Sequence, residues 1–213
     1  MVSKIVRQLM TSIQRAHHVS KPFDYWLPSE LLPEKAIREI VSLPFDGSPN
    51  LTFDGRRESN KSSRIFFSAE NQARFPICGI VAEAFNAALV VDALGRLIGR
   101  ELCSGKLRIE YCQDTDGFWL EPHLDIAVKM ATILIYLSDD PSLSDAGTDI
   151  YDAPPEHKLV ASAPYAKSRG LIFAPGANTW HGLSKRPIRG LRRSLIINFV
   201  SAEWRQTDEL AFP

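Results

Sequence analysis

The stretch Glu121-Pro122-His123-Leu124-Asp125 places a histidine and an aspartate two residues apart, just before the most hydrophobic run of the chain, Met130 to Leu137. In a β-strand, side chains at positions i and i+2 point to the same face of the sheet. His123 and Asp125 are therefore predicted to point to one place, as two ligands of a metal ion would. A polar pair at the end of an edge strand gives the same pattern, so the interpretation depends on a third ligand.

The third ligand is expected among the other histidines of the chain. Two of them belong to a predicted N-terminal helix (His17 and His18), and His157 lies in the polar sequence Pro-Pro-Glu-His-Lys. His181 follows a predicted strand and a Pro-Gly turn and opens the next strand, which can return it to the mouth of a barrel. Two histidines and one carboxylate leave three open positions on a metal, as in non-haem Fe(II) oxygenases. The predicted ligands are His123, Asp125 and His181, with His157 as the competing candidate.

A second group of polar residues, Arg192-Arg193-Ser194, enters the predicted strand ending at Val200. A guanidinium can bind a carboxylate through two parallel hydrogen bonds, and Ser194 shares a strand face with Arg192. The pair would suit a dicarboxylate co-substrate. Two solvated arginines at the start of a strand are the alternative.

The segments that must position these residues change character along the chain. Helical spacing dominates the first half: a basic amphipathic segment before Asp24, a helix from Pro33 to Leu43, and a long helix from Pro76 that ends or is interrupted near Gly95. Residues 46–60 are rich in turn residues and predict a hairpin or loop. The second half contains short β-rich runs bounded by Gly, Pro, Asp and Ser, at 106–112, 131–137, 158–161, 170–174 and 194–200.

This order predicts a mainly β core with α-helices (α+β). We expect one domain, 1–213, in which 1–105 is mostly helical support and 106–202 is a double-stranded β-helix, or jelly roll, that carries the catalytic site. Its 213 residues are enough for a substantial core. The N-terminal basic helix is expected to pack on the domain, with an organelle-targeting segment as the alternative.

Composition limits the partners. Lysine plus arginine and aspartate plus glutamate both number 25, so no net field would attract nucleic acid or an anionic membrane, and neither is expected as a partner. The three cysteines form no metal-binding pair and no disulfide framework, which favours a reducing compartment and a cytoplasmic location. The composition leaves the oligomeric state open. A small-molecule substrate is the expected partner.

With these residues in place, the chain resembles the 2-oxoglutarate-dependent Fe(II) oxygenases, and its second half is most similar to the prolyl 4-hydroxylase-like branch. The residues and short segments that match, in order, are Tyr111, His123-Leu124-Asp125, Lys129 to Ser138, Gly147-Thr148, Pro175-Gly176, His181-Gly182 and Arg192-Arg193-Ser194. Together they span about half of the chain.

The resemblance implies Fe(II), 2-oxoglutarate and O2 as cofactors and co-substrates, with ascorbate as a possible stimulant. It implies that His123, Asp125 and His181 bind iron and that Arg192 and Ser194 bind the distal carboxylate of 2-oxoglutarate. Other residues at matching positions or on the same strand face would line the co-substrate pocket: Tyr111, Tyr136, Thr132 and Leu134. The implied reaction is hydroxylation, with release of succinate and CO2.

Substrate contacts are expected from bulky or polar residues near the triad. These candidates are Trp119, Glu121, Lys129, Asp149, Tyr151, Trp180 and Asn198. The Gly-Gly-Glu-Thr word usual in prolyl hydroxylases is here Ala146-Gly147-Thr148-Asp149, so prolyl hydroxylation of proteins is not implied. We expect a small substrate, such as an amino acid or a natural-product intermediate. The alternatives are a peptide or protein hydroxylase of the same superfamily, a cupin-type metalloenzyme that needs no 2-oxoglutarate, and a non-catalytic binding module.

Overall fold

The computed structural model describes residues 1–45, 53–56 and 64–213. The helices are α1 (Val2–Gln14), α2 (Glu34–Val41), α3 (Ala69–Arg74), α4 (Pro76–Phe85) and α5 (Ala88–Ile98). The strands are β1 (His17–Val19), β2 (Tyr25–Leu27), β3 (Arg64–Phe66), β4 (Lys106–Asp114), β5 (Leu120–His123), β6 (Lys129–Tyr136), β7 (Asp149–Tyr151), β8 (Leu159–Ser162), β9 (Gly170–Phe173), β10 (His181–Leu183) and β11 (Arg192–Val200).

Two antiparallel sheets form the β core. The larger sheet has seven strands in the order β1-β2-β9-β6-β11-β4-β3, and the smaller has four in the order β5-β10-β7-β8. From β4 onward, consecutive strands alternate between the two sheets, except that β7 and β8 are both in the smaller one, so the chain winds back and forth through a jelly roll. The predicted α+β class and jelly-roll core are confirmed.

The larger sheet is buried on both faces. One face, with Ile109, Ile133 and Ile197 among its residues, packs on helices α1, α2, α4 and α5 in one hydrophobic core. The other face, with Leu134 and Phe173, packs toward the smaller sheet in a second core. Because side chains alternate along each strand, neighbouring residues of β6 and β11 pack in different cores.

Helix α1 meets the domain through residues four apart, Ile5, Leu9 and Ile13, all of which are buried. The packing predicted for this basic helix is thereby confirmed. The helix ends earlier than expected, however, because His17 and His18 lie in β1, which pairs with β2 at the edge of the larger sheet.

The long helix predicted from Pro76 is in fact two helices. The break falls between Phe85 and Ala88 instead of near Gly95, which lies inside α5. A Cβ at Gly95 would lie 2.6 Å from the carbonyl oxygen of Arg100, so this glycine lets the next loop approach the helix closely. The predicted hairpin over 46–60 lies mostly outside the described residues.

Within the described residues, no single helix is long and apolar enough to cross a membrane. Only α4 and α5 together meet the length and composition criteria, as a pair bent by 54°. Both helices contribute buried residues to the core that they share with the larger sheet.

Candidate metal centre

His123 and His181 face each other across the first two strands of the smaller sheet. They are register partners in the β5–β10 pairing, and their ring centroids are 4.4 Å apart. Asp125 lies just beyond the end of β5, so the prediction that both residues of the pair belong to one strand is wrong. The turn after His123 still brings the carboxylate back to the rings, and one ligand atom from each of the three residues lies within 4.8 Å of the others.

Both histidines have Nε2 available for a metal, because Nδ1 of each ring contacts a backbone carbonyl. Nδ1 of His123 lies 2.8 Å from the carbonyl oxygen of Glu121, and Nδ1 of His181 lies 2.9 Å from that of Thr179. Because a carbonyl only accepts hydrogen bonds, each Nδ1 carries a proton, which leaves Nε2 as the nitrogen that can bind a metal. Burial lowers the pKa of His181 to about 4, which keeps its ring in the neutral, metal-binding form at neutral pH.

The carboxylate of Asp125 is held by two partners on β6. Oγ1 of Thr132 donates to Oδ2 at 2.6 Å, and the ammonium group of Lys129 contacts Oδ1. Asn198 on β11 donates to Thr132 Oγ1 at 2.9 Å. Thr132, predicted to line the co-substrate pocket, therefore also orients a candidate metal ligand, as residues around metal sites commonly do. The substrate candidates Lys129 and Asn198 belong to the same support.

A cavity of about 40 Å3 extends inward from His123 and His181 between the two sheets. Its lining includes five predicted residues, which are His123, His181, Thr132, Leu134 and, at the inner end, Arg192. Ladder pairs between β6 and β11 give its order: Thr132 with Asn198, then Leu134 with Ile196, then Tyr136 with Ser194. The walls thus run from metal ligands, through aliphatic side chains, to a cation.

The guanidinium at the inner end is already held on two sides. Arg192 Nε donates to the carbonyl oxygen of Ala146 at 2.7 Å, and Nη1 donates to Asp114 Oδ2 at 2.6 Å. Arg192 and Asp114 are both buried, and within the described part of the chain the buried atoms Ser194 Oγ and Asp114 Oδ1 have no hydrogen-bond partner. Unpaired buried polar atoms are rare in proteins, so their presence beside Arg192 fits a polar ligand.

Tyr136 and Tyr111 differ in position. Tyr136 is in the core between the sheets, where its hydroxyl donates to Thr148 Oγ1 and accepts from Thr148 N, both at 3.0 Å. Its ring lies 6.0 Å from the Arg192 guanidinium carbon. Tyr111 pairs with Leu195 and packs with the helices, so the prediction that it contacts the co-substrate is wrong. Its strand face is opposite to that of Arg192.

A cleft of about 390 Å3 opens outward from the same ligands. Its lining includes Glu121 and Lys129, which were predicted to contact substrate, together with residues that the sequence did not single out. These are Gly55, Arg56, Arg64, Phe66, Arg108, Glu110, Leu124, Ile126, Trp204, Gln206 and Glu209.

Four predicted substrate contacts lie elsewhere. Asp149 is buried and accepts hydrogen bonds from the side chains of Ser162, Ser184 and Arg186, and Tyr151 donates to the same carboxylate at 3.3 Å. These two residues therefore stabilise the smaller sheet and do not line the cleft, because their polar groups are used within it.

The two tryptophans are also outside the cleft lining. Trp119 stacks over Gly55 and lies under the Lys185 ammonium, 4.3 Å from its ring centroid, beside a separate surface groove. Trp180 packs on the ring of His157, with centroids 4.3 Å apart. His157, the competing ligand candidate, is thus engaged by an aromatic ring and is absent from the described group of ligand atoms.

Comparison with known proteins supports the fold. No protein-family model matches the chain, and no curated protein matches its sequence. Among solved structures, a prolyl hydroxylase from Trichoplax adhaerens, in complex with a hypoxia inducible factor peptide, has 12% identity and a TM-score of 0.58 over 94% of this chain and 90% of that one. A Pseudomonas putida prolyl-4-hydroxylase has 18% identity and a TM-score of 0.53 over 95% of this chain and 93% of that one.

A third similar structure is the non-haem α-ketoglutarate-dependent epimerase SnoN from nogalamycin biosynthesis. It has 12% identity and a TM-score of 0.52 over 96% of this chain and 87% of that one. The fold implied by the sequence resemblance is therefore confirmed: the chain has the fold of 2-oxoglutarate-dependent Fe(II) oxygenases. The same fold serves hydroxylation of peptides and chemistry on small molecules, so it leaves the substrate open.

Proposed function

We propose that the protein is an Fe(II)- and 2-oxoglutarate-dependent dioxygenase that hydroxylates a small molecule and releases succinate and CO2. The observation that carries the proposal is the juxtaposition of two sites in one cavity. His123 and His181 line one end of the cavity, where Asp125 completes the candidate ligand group, and Arg192 lines the other end. Ser194, two residues along β11 on the face of Arg192, has a buried Oγ with no hydrogen-bond partner among the described residues.

The walls of the cavity match the chemistry of 2-oxoglutarate. This molecule has a chelating keto acid, two methylene groups and a terminal carboxylate. Leu134 and Ile196 line the middle of the cavity, where the methylene groups would lie, and the guanidinium of Arg192 would receive the carboxylate. The negative charge of Asp114 opposes the binding of a second carboxylate here. Its hydrogen bond with Arg192, however, uses only Nη1 of the guanidinium.

When bound, iron and 2-oxoglutarate would supply the oxidising chemistry. The chain's own contribution is geometric and electrostatic. Neutral imidazoles and a carboxylate held by Thr132 and Lys129 fix three metal positions on one side. Aliphatic walls keep water from the co-substrate, and the outward cleft leaves room for a substrate next to the open metal positions.

A small molecule is favoured as substrate because the outward cleft has a volume typical of small-molecule sites, about 390 Å3. Free amino acids and natural-product intermediates are the proposed class. A cytoplasmic location is also proposed, as is stimulation by ascorbate. Cys78, Cys103 and Cys112 form no disulfide among the described residues, as suits a reducing compartment.

The test is an anaerobic titration of the purified protein with Fe(II), with and without 2-oxoglutarate. Chelation of iron by the keto acid gives a weak visible charge-transfer band, and formation of that band supports the proposal. Iron binding without the band, whatever the concentration of 2-oxoglutarate, would favour the cupin-type alternative. Absence of iron binding would favour a binding module.

A further inference from the structure

The boundary between the outward cleft and the inner cavity is formed by two residues. Among the described residues that line these spaces, Arg64 and His123 are the two that line both. Because His123 is a candidate metal ligand, a substrate in the cleft would meet the metal at this boundary. Arg64 is therefore the charged side chain placed where substrate and co-substrate would come together.

Arg64 is buried without full use of its hydrogen-bond donors. It is the first residue of β3 and is 7% exposed. Nη1 donates to Cys112 Sγ at 2.7 Å and lies 3.8 Å from Glu110 Oε1, while Nε is buried and has no hydrogen-bond partner among the residues that the structure describes. A guanidinium has five N–H donors, and a buried donor left unpaired is costly. This observation points to a ligand that supplies the missing acceptor.

The neighbouring Arg108 shows the contrast. Its Nε donates to Glu209 at 2.7 Å, its Nη1 to Asn198 at 3.3 Å and its Nη2 to Glu110 at 3.1 Å. The rings of Phe66 and Trp204 also flank its guanidinium, with centroids 4.7 and 5.0 Å from its carbon. Arg108 is thus saturated and structural. Its Nη2 lies 3.1 Å from the Glu110 carboxylate, whereas Nη1 of Arg64 lies 3.8 Å from it. Glu110 therefore pairs more closely with Arg108 than with Arg64.

We propose that Arg64 binds a carboxylate of the small-molecule substrate and thereby holds a neighbouring carbon next to the metal. This inference rests on the proposed function. A carboxylate is the ligand that matches a guanidinium in charge and in bidentate geometry. The substrate is a better source of it than 2-oxoglutarate, because the two acidic ends of 2-oxoglutarate are accounted for by the metal and by Arg192. The aromatic walls of the cleft, Phe66 and Trp204, suit an organic body attached to that carboxylate.

The experiment compares carboxylic acids with their primary amides as probes. The proteinogenic amino acids and a set of 2-hydroxy acids, each paired with its amide, are titrated calorimetrically into anaerobic protein, both metal-free and loaded with Fe(II) and 2-oxoglutarate. The proteins are the wild type, Arg64→Gln, Arg64→Lys and the control Arg96→Gln, which changes an exposed arginine paired with Asp92 on α5. Thermal unfolding identifies any variant that does not fold.

We expect at least one acid to bind the wild type and the control about tenfold or more tightly than its amide. Arg64→Gln should abolish this preference. Arg64→Lys should keep part of it, because lysine retains the positive charge but lacks the two parallel N–H donors of a guanidinium. The affinity for 2-oxoglutarate, measured from the charge-transfer band, should change less than about twofold in either variant that folds.

Three results would overturn the inference. The first is a wild type that prefers no acid over its amide, and the second is an acid preference that survives in both Arg64 variants. The third is a loss of 2-oxoglutarate affinity in either folded variant, which would assign Arg64 to the co-substrate. Failure of the proposed function is distinguishable, because it removes the charge-transfer band from the wild type, whereas the acid and amide comparison in the metal-free protein still decides the role of Arg64.

Discussion

His123 and His181 are direct register partners on β5 and β10, and a backbone carbonyl orients each ring through Nδ1. The separation of the rings is thus determined by a sheet pairing, which is more rigid than a loop contact. The third ligand, Asp125, is held by side chains of β6 in the other sheet. A metal at this point would therefore connect the two sheets of the jelly roll.

The first prediction concerns this triad. His181→Ala and Asp125→Asn should each lower the Fe(II) affinity by about tenfold or more, and excess 2-oxoglutarate should restore little of it, because a ligand or its charge is lost. His157→Ala is the matched control and should bind iron normally, since His157 packs on Trp180 away from the site. Anaerobic iron titration measures this. Loss of iron binding in His157→Ala with retention in His181→Ala would show that the triad is misassigned.

The second prediction concerns Asp114, whose Oδ2 lies 2.6 Å from Arg192 Nη1. Asp114→Asn keeps an acceptor for Nη1 but removes a negative charge beside the expected co-substrate carboxylate. The 2-oxoglutarate affinity should rise roughly three- to tenfold, because like charges repel strongly at a buried site. The stability should fall at the same time, because a buried ion pair has lost one charge.

Asp114→Ala separates charge from orientation. This variant removes the acceptor as well, so Arg192 is no longer held and the affinity for 2-oxoglutarate should fall. Titration of the charge-transfer band in both variants is the measurement. An equal loss of affinity in Asp114→Asn and Asp114→Ala would mean that the negative charge itself supports co-substrate binding.

The third prediction concerns stability in acid. Burial alone would raise the pKa of Asp149, but hydrogen bonds from Ser162, Ser184 and Arg186 outweigh it, and the pKa is lowered below its usual value. A carboxyl group with a lowered pKa in the folded state stabilises the protein above its unfolded pKa of about 4, and this contribution is lost as the pH falls through the folded value.

Asp149→Asn should therefore cost about 3 kcal/mol at neutral pH, as expected when a buried ion pair loses one member. The difference from the wild type should shrink as the pH falls below about 4. Urea unfolding at several pH values measures both effects. The control is Asp145→Asn, an exposed residue near the same sheet. A pH-independent difference between Asp149→Asn and the wild type would show that the carboxylate charge contributes nothing.

The sequence was sufficient to select the three residues that the fold brings together as the candidate metal centre, because their chemistry is visible in residue type and spacing. It failed for Tyr111, although the needed signal is present in β4. Leu107, Ile109 and Tyr111 alternate there with Arg108, Glu110, Cys112 and Asp114. That period of two places Tyr111 with the apolar residues, against the helices, and places Asp114 on the cavity face. The same pattern would have identified Asp114 and Arg108 as site residues.

Arg64 and the misplaced substrate contacts had no comparable local signal. Arg64 begins a three-residue strand, which is too short for periodicity to assign a face. Asp149 and Tyr151 are polar residues between the ligands in sequence, which made them substrate candidates. The pairing of β7 with β8 and β10 shows instead that Tyr151 and Ser184 donate hydrogen bonds to the Asp149 carboxylate. Such long-range partners depend on topology, which residue spacing does not contain.

The last prediction separates two adjacent arginines of β11. Arg192 shares its strand face with Ser194 and lines the inner cavity, while Arg193 lies on the helix side. Burial there raises the pKa of Tyr111 to about 12, and the charge of Arg193 offsets part of that rise. Arg192→Ala should weaken 2-oxoglutarate binding by about 2 to 4 kcal/mol, because a desolvated charge pair is lost.

Arg193→Ala should leave 2-oxoglutarate binding nearly unchanged and should instead lower the unfolding midpoint, because its half-buried stem packs on the core. Arg192→Ala will also lose stability, since Asp114 is left unpaired, so binding must be measured on folded protein below its unfolding temperature. The charge-transfer band and the 2-oxoglutarate dependence of succinate formation supply two independent measurements. If Arg193→Ala changed both measurements strongly and Arg192→Ala changed neither, the opposite face of β11 would have to bind the co-substrate.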